Sequence, residues 1–184
     1  MTMLTVTEES FLNELRENNI DFNNINELLV AELIKKKMKI ATAESCTGGF
    51  ISKKITEVSG SSAVFDCGVC SYSNDIKAKV LGVNKDVLDT LGAVSEETAK
   101  QMALGVKNLA QSHIGVSTTG IAGPTGETAE KPVGLVYIGV STSKKLFAVK
   151  ALFSEDKKNS RERVRELSTV YAMYIVYKVI TNDI

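Results

Sequence analysis

Three stretches of the chain place side chains capable of chemistry close together. The first, "AESCTGG" from Ala43 to Gly49, sets the Ser45 hydroxyl, the Cys46 thiol, the Thr47 hydroxyl and two glycines directly after an apolar run. Such a segment can carry a serine nucleophile, a cysteine nucleophile, a phosphate cradle or only a polar turn. The second, "CSYSNDIK", offers the Tyr72 phenol and the Lys77 amine. A lysine partly deprotonated by burial, its pKa brought down to ~7–8, can take a serine proton without any histidine. On spacing alone, a core tyrosine and a surface lysine are the commoner reading of that pair. The third, "TGIAGPTG" from Thr119 to Gly126, combines Gly120, Gly123 and Gly126, which allow close backbone approach, with Pro124, which stiffens the turn. A surface turn and a ligand loop both fit it. Arg161 and Arg165 follow near the start of the last apolar-periodic segment. A cation is unfavourable at a helix N-terminus unless an anion compensates, so either Glu155 or Asp156, or a substrate phosphate, is the expected partner.

Other chemistries fit poorly. A redox C-x-x-C needs its first thiol at a helix N-terminus, whereas Cys67 and Cys70 fall inside an expected strand, where an i, i+3 pair points to opposite faces. Two inert thiols in a core strand are the expectation. One histidine and this cysteine pair do not supply the three or four ligands of a zinc site. His113 opens an apolar strand, where a hydrogen-bonded packing role is commoner than a catalytic one, so a Ser-His-Asp triad is weakly supported. Neither G-x-S-x-G nor a Walker A motif occurs.

The elements that would position these groups follow from periodicity and punctuation. Residues 1–23 are polar and rich in Asn and Glu, with only a weak helical pattern at Phe11, Leu12 and Leu15, and are expected to form a loosely attached, weakly structured leader. Residues 24–37 carry Ile25, Leu28, Leu29, Leu33 and Ile34 at helical spacing and end in lysines, which complement the helix dipole. A strand over 38–43, a tight polar turn and a helix over 48–58 make the context in which backbone N–H groups meet a ligand. The alternation repeats as a strand over 65–73 and a helix through 77–81. Ser95 caps a helix carrying Ala99, Met102, Ala103, Val106, Leu109 and Ala110. A strand over 113–117 enters the glycine-rich loop, and residues 133–140 and 146–153 form a hairpin about "STSKK". An amphipathic terminal helix spans 160–180, with Val164, Leu167, Tyr171, Tyr174, Ile175 and Val179 on one face. The expected fold is therefore α/β: one layered α/β/α domain over 24–184, its mixed sheet including a C-terminal β-hairpin, followed by a terminal helix. All three chemical segments then lie at carboxyl ends of strands, where such sheets bind ligands.

Composition bounds the partners. The 184 residues suffice for one domain with a real core, and 43% apolar with 24% charged residues rules out wholesale disorder. Lys plus Arg balance Asp plus Glu at 22 each, so no global field favours nucleic acid or an anionic membrane. Apolar runs are far below the ~20 residues of a membrane span. Three cysteines without a dense pattern suit a reducing compartment, and a cytoplasmic location is expected.

Taken together, "TAESCTGG", "SGSSAVFDCGVCSYSNDIKAKVLGV", "LGAVSEETAKQMA", "TGIAGPTG", "KPVGLVYIGV" and "SRERVR" resemble the CinA C-terminal domain family, over about residues 28–177. The resemblance implies a stand-alone nicotinamide-nucleotide amidase, which hydrolyses nicotinamide mononucleotide to nicotinate mononucleotide and ammonia in pyridine nucleotide salvage. It implies Ser45 as nucleophile and Tyr72 with Lys77 as its activating pair. Oxyanion donors are expected among the N–H groups of Cys46, Thr47 and Gly48. Asn74, Thr119, Gly120, Gly123, Arg161 and Arg165 complete the expected substrate site, with the Gly120 to Gly126 loop and Arg161 or Arg165 for the phosphate. No metal or cofactor is implied. A small-molecule nucleotide is the expected partner, and a homo-oligomer is left open. The sequence departs from the family pattern at Gly126-Glu127, where a second glycine is usual, and at Asn159-Ser160-Arg161, where "GDR" is usual. The competing reading is a non-catalytic nucleotide-binding or competence-linked regulatory module.

Overall fold

The computed structural model describes residues 5–153 and 160–181. Glu155, Asp156 and Asn159 lie outside them. In chain order the elements are β1 (Thr5–Thr7), α1 (Glu8–Glu17), α2 (Ile25–Lys36), β2 (Ile40–Glu44), α3 (Phe50–Thr56), β3 (Phe65–Cys70), α4 (Asn74–Leu81), α5 (Lys85–Thr90), α6 (Glu96–Ala110), β4 (Ile114–Gly120), β5 (Leu135–Ser141), β6 (Leu146–Leu152) and α7 (Ser160–Thr181), with one 3-10 turn at Ser61–Ala63.

One six-stranded sheet runs in the order β1-β6-β5-β4-β2-β3. β2 pairs in parallel with both β3 and β4, β5 is antiparallel to β4 and β6, and β1 closes the far edge in parallel with β6. Every residue of β2 is buried, as befits a strand covered on both faces. The chain passes from β2 to β3 through α3 on one face, then returns from β3 to β4 through α4, α5 and α6 on the other. The carboxyl end of β2 is thus a topological switch point, and the segments following β2, β3 and β4 converge there.

The two faces are packed by different means. On one, α6 presents Met102 and Val106 to Ala41 and Ala43 of β2, with Leu81, Val83 and Leu88 completing a small core. α6 approaches so closely that a Cβ at Gly115 would lie 2.0 Å from the Ala103 carbonyl oxygen, and one at Gly139 would lie 2.2 Å from that of Ala99. Only glycine fits beneath the helix at these two strand positions. Ser95 caps α6 by accepting the Thr98 N–H, as its sequence position foretells.

On the opposite face α7 lies against the sheet and is covered by α2 and α3. Residues 167–176 of α7 are buried without a break, polar Ser168 and Thr169 included. The expected one-sided amphipathic helix is therefore corrected: α7 is a central helix, buried all round over this stretch, because helices cover the side turned from the sheet.

The expectation of a loosely attached leader is also corrected for the described residues. Thr5, Val6 and Thr7 pair with Lys150, Ala151 and Leu152. Thr7 caps α1 in a reciprocal capping box with Ser10. Phe11 is completely buried, its ring 4.7 Å from that of Tyr171 and 5.7 Å from that of Tyr174. The polar residues of α1 face water while Phe11 and Leu15, one turn apart, reach the core. The strand carrying Cys67 and Cys70 differs from expectation too: β3 is an edge strand, and Cys70 is exposed. Its two thiols do face opposite sides, Cys67 toward Ala41 and its neighbours, Cys70 toward Gly49.

Candidate active site

The nucleophile candidate sits on the turn between β2 and α3. Ser45 N–H donates to the Thr118 carbonyl, 2.9 Å, which ties the turn to β4 as the strand ends. Gly48 and Gly49 then take left-handed backbone angles, φ +61° and +97°, that few other residues adopt. Gly49 occupies the N-cap position of α3 and has no side chain to cap it. The cap comes instead from Glu44, the last residue of β2, which is fully buried. Its Oε2 accepts from the Thr47 hydroxyl (2.7 Å), Gly49 N–H (2.9 Å) and Ile51 N–H (3.0 Å), and its Oε1 from Ser52 N–H (2.9 Å) and the Ser52 hydroxyl (2.8 Å). A carboxyl group at the start of a helix with five donors caps that helix from the strand before it.

The base candidate arrives from the next βα turn. Ser73 caps α4 by accepting the Ile76 N–H, and the first turn of α4 carries Lys77 inward. Lys77 is 1% exposed, and its Nζ lies 3.0 Å from Ser45 Oγ and 2.7 Å from the Ser71 carbonyl, with the Tyr72 carbonyl at 3.4 Å. No carboxylate pairs with it among the described residues. Burial therefore lowers its pKa from the ordinary lysine value. Glu44 serves this half as well, because its backbone carbonyl accepts the Ser71 N–H at 2.9 Å and so sets the carbonyl that holds Lys77.

The Tyr72 hydroxyl lies apart from the Ser45–Lys77 contact. The residue is 68% exposed, and its hydroxyl meets Arg161 Nη2 at 3.3 Å, with no hydrogen bond from that hydroxyl to Ser45 or Lys77 among the described residues. Of the three expected side chains, Ser45 and Lys77 are hydrogen-bonded to each other and Tyr72 stands on the rim of the cleft. Cys46, the rival nucleophile, is buried, and burial, with a smaller contribution from Glu44, pushes its thiol up to about 12. A thiol so placed is a poor source of thiolate.

A cleft of ≈ 210 Å³ opens over Ser45 and Lys77. Its walls include Cys46, Thr119, Gly120, Tyr72 and Arg161, as the sequence suggested, and also Ala93, Val94 and Ala122. Thr119 donates its hydroxyl to the Ala93 carbonyl, 2.7 Å, fixing the apolar wall. Arg161 is held over the cleft by the Gly123 carbonyl, 3.0 Å. Gly123 thus acts through Arg161 and does not line the cleft, and Asn74, at the start of α4, stays outside it. The Thr47 side chain is fully buried and bonded to Glu44 and to Thr118 Oγ1 (2.7 Å), so any contribution to binding falls to its N–H group. Arg165 also lies off the cleft: its Nε and Nη2 donate to the Thr47 carbonyl at 3.2 and 2.9 Å, and its guanidinium stacks 4.0 Å over the Phe50 ring.

His113 accepts the Lys39 N–H at 2.9 Å on Nδ1 and sits before β4, at the end of the sheet opposite Ser45. It forms no triad with that serine. Among the described residues no group of three or more His, Cys, Asp or Glu side chains is placed to hold a metal, and no helix is long and apolar enough to cross a membrane. Glu44 is not among the residues expected from the sequence, though an acid at a strand end before a helix opened by glycines is a readable signal for a remote cap. Ala93 and Val94 had no such signal.

The chain is similar to known proteins in sequence and in fold. The CinA C-terminal domain matches residues 22–180. A competence-damage inducible protein of Thermoanaerobacter pseudethanolicus is 49% identical over 157 residues, 85% of this chain and 37% of that protein. Its counterpart in Clostridium beijerinckii is 42% identical over 182 residues, 98% of this chain and 43% of that protein. The chain thus spans about two fifths of the length of these curated relatives. The crystal structure of competence/damage inducible protein CihA from Agrobacterium tumefaciens superimposes with a TM-score of 0.82 at 35% identity, covering 87% of this chain and 95% of that one. A CinA superfamily protein from Escherichia coli gives 0.79 at 26% identity, covering 86% and 92%.

Proposed function

The chain belongs to the CinA C-terminal domain family, and from that premise we propose that it is a serine amidohydrolase acting on the carboxamide of nicotinamide mononucleotide. The observation that carries this reading is the buried Lys77 amine, 3.0 Å from Ser45 Oγ and without an acidic partner. A neutral amine so placed takes the serine proton as Oγ attacks the amide carbon. The oxyanion is met by N–H groups of the 46–48 turn, since those of Gly49, Ile51 and Ser52 are already bound to Glu44. The ammonium of Lys77 then returns the proton to the departing ammonia, and water attacks the acyl-enzyme with Lys77 again as base.

The cleft supports a flat ring carrying an anion. Ala93, Val94 and Ala122 form apolar walls beside the nucleophile, and Arg161 holds a positive charge at the rim, suited to a phosphate. The pyridinium ring withdraws electrons from its own carboxamide and so assists attack. Ammonia release from nicotinamide mononucleotide, its riboside and free nicotinamide tests the reading. Turnover of the mononucleotide, lost or much weakened when the phosphate is absent, is the expected result. Release from none of the three removes the amidase assignment.

A further inference from the structure

We propose that Arg165 is a positioning residue of the oxyanion hole, setting the Thr47–Gly48 peptide plane so that the Gly48 N–H faces the carbonyl oxygen attacked by Ser45. The inference rests on the amidase reading for its chemistry and on peptide geometry for its structure. Arg165 reaches from α7 and grips the Thr47 carbonyl with two donors, Nε at 3.2 Å and Nη2 at 2.9 Å. The peptide that follows is trans, since the cis bond of the described chain is Gly123–Pro124. In a planar trans peptide the N–H points opposite to the C=O. With Arg165 on the Thr47 carbonyl, the Gly48 N–H is turned away from Arg165, on an exposed residue that directly follows the turn carrying the cleft residues Ser45 and Cys46. No protein acceptor takes that N–H among the described residues.

A glycine at this position makes the grip necessary. Gly48 has φ +61°, a Cβ there would meet Arg165 Nη2 at 3.4 Å, and a glycine on either side of the 48–49 peptide leaves the turn free to rotate. Glu44 fastens the Thr47 hydroxyl and the Gly49 N–H from inside, but nothing it bonds fixes the peptide between them. Arg165 does so from outside, and the Phe50 ring, 4.0 Å beneath the guanidinium, holds the arginine itself. The cation that the sequence offered to the substrate phosphate is thus used on the protein backbone.

Arg165→Met and Arg165→Lys test this, each with crystal structures, turnover of nicotinamide mononucleotide and the rate at which a small uncharged dialkyl fluorophosphate modifies Ser45, read by intact mass. The fluorophosphate has no phosphate anion to bind but places its P=O oxygen in the same hole. For Arg165→Met, kcat and the modification rate both fall by about 10²-fold, the usual loss for one oxyanion donor, KM stays within about threefold, and the crystal shows the Thr47–Gly48 peptide rotated. Arg165→Lys, with one donor for two, recovers part of both rates. A raised KM with an unchanged modification rate makes Arg165 a phosphate ligand and overturns the proposal, as does an unmoved peptide plane in Arg165→Met. If the unaltered protein releases no ammonia, the amidase reading fails while the peptide plane still decides this inference.

Discussion

Replacing Lys77 by Met removes the amine and keeps an unbranched apolar stem in a site that is 1% exposed. Its effect on stability is fixed in sign by the lowered native pKa, whose cause is burial. An unfolded lysine titrates near ~10.4. Below the native value both states hold the proton, and the lysine's contribution does not change with pH. Between the native value and ~10.4 the unfolded chain binds a proton that the native one has released, so wild-type stability climbs with pH, by at most about 1.4 kcal/mol per pH unit. Above that window the gain levels off. The methionine variant has no such titration, and the other ionisable groups cancel in the difference. Urea unfolding of both proteins from about pH 6 to about pH 10 therefore shows the stability difference, wild type minus variant, rising toward the alkaline end of the range. The same titration gives turnover an acidic limb, lost as pH falls through the native lysine value. A difference that is flat in pH, or that falls as pH rises, refutes the claim that Lys77 is a desolvated amine.

Glu44→Gln keeps the side-chain shape but can match at most one of the two oxygens to its donors, so Ser52 or the Thr47, Gly49 and Ile51 set loses its acceptor. A loss of about 2–5 kcal/mol in urea unfolding is expected, and a change below about 0.5 kcal/mol contradicts the capping role. Phe11→Ala opens the aromatic cluster formed with Phe22, Phe153, Tyr171 and Tyr174. It should cost about 3–5 kcal/mol by the same measurement, whereas a near-neutral effect would restore α1 to a loosely attached segment. Tyr72→Phe loses one exposed hydrogen bond to Arg161. Steady-state kinetics should show KM raised by up to about tenfold with kcat nearly kept, and a kcat loss beyond about 10²-fold would return the phenol to the proton pathway.

Much of the architecture is legible because periodicity and caps agree with the final packing. Ser95, the Ala99 to Val106 spacing and the hairpin about Ser141 to Leu146 all read correctly. The convergence of the three chemical segments also follows, since it needs only the order of strands and their carboxyl ends. Where neighbours override local pattern, the reading fails. Phe11 and Leu15 are two apolar residues among acids and asparagines, and only α7 reveals that both are core. The burial of α7 on all sides depends on α2 and α3, which a one-helix pattern cannot register. The short α5, Lys85–Thr90, has too few residues to show a period. At the site, only the family resemblance singles out Ser45 with Lys77, because 32 residues separate them and spacing favours an ordinary surface lysine. The structure supplies what neither route could: Lys77 turns inward and Tyr72 outward from the same turn, and Arg165 is spent on a backbone carbonyl.

The central claim is that Ser45, activated by Lys77, is the nucleophile, and ammonia release from nicotinamide mononucleotide by the unaltered protein, Ser45→Ala and Cys46→Ala measures it directly. The account predicts release by the unaltered protein, loss of at least about 10³-fold in Ser45→Ala, and activity within about tenfold of the unaltered protein in Cys46→Ala. Full release by Ser45→Ala, or loss confined to Cys46→Ala, would contradict it.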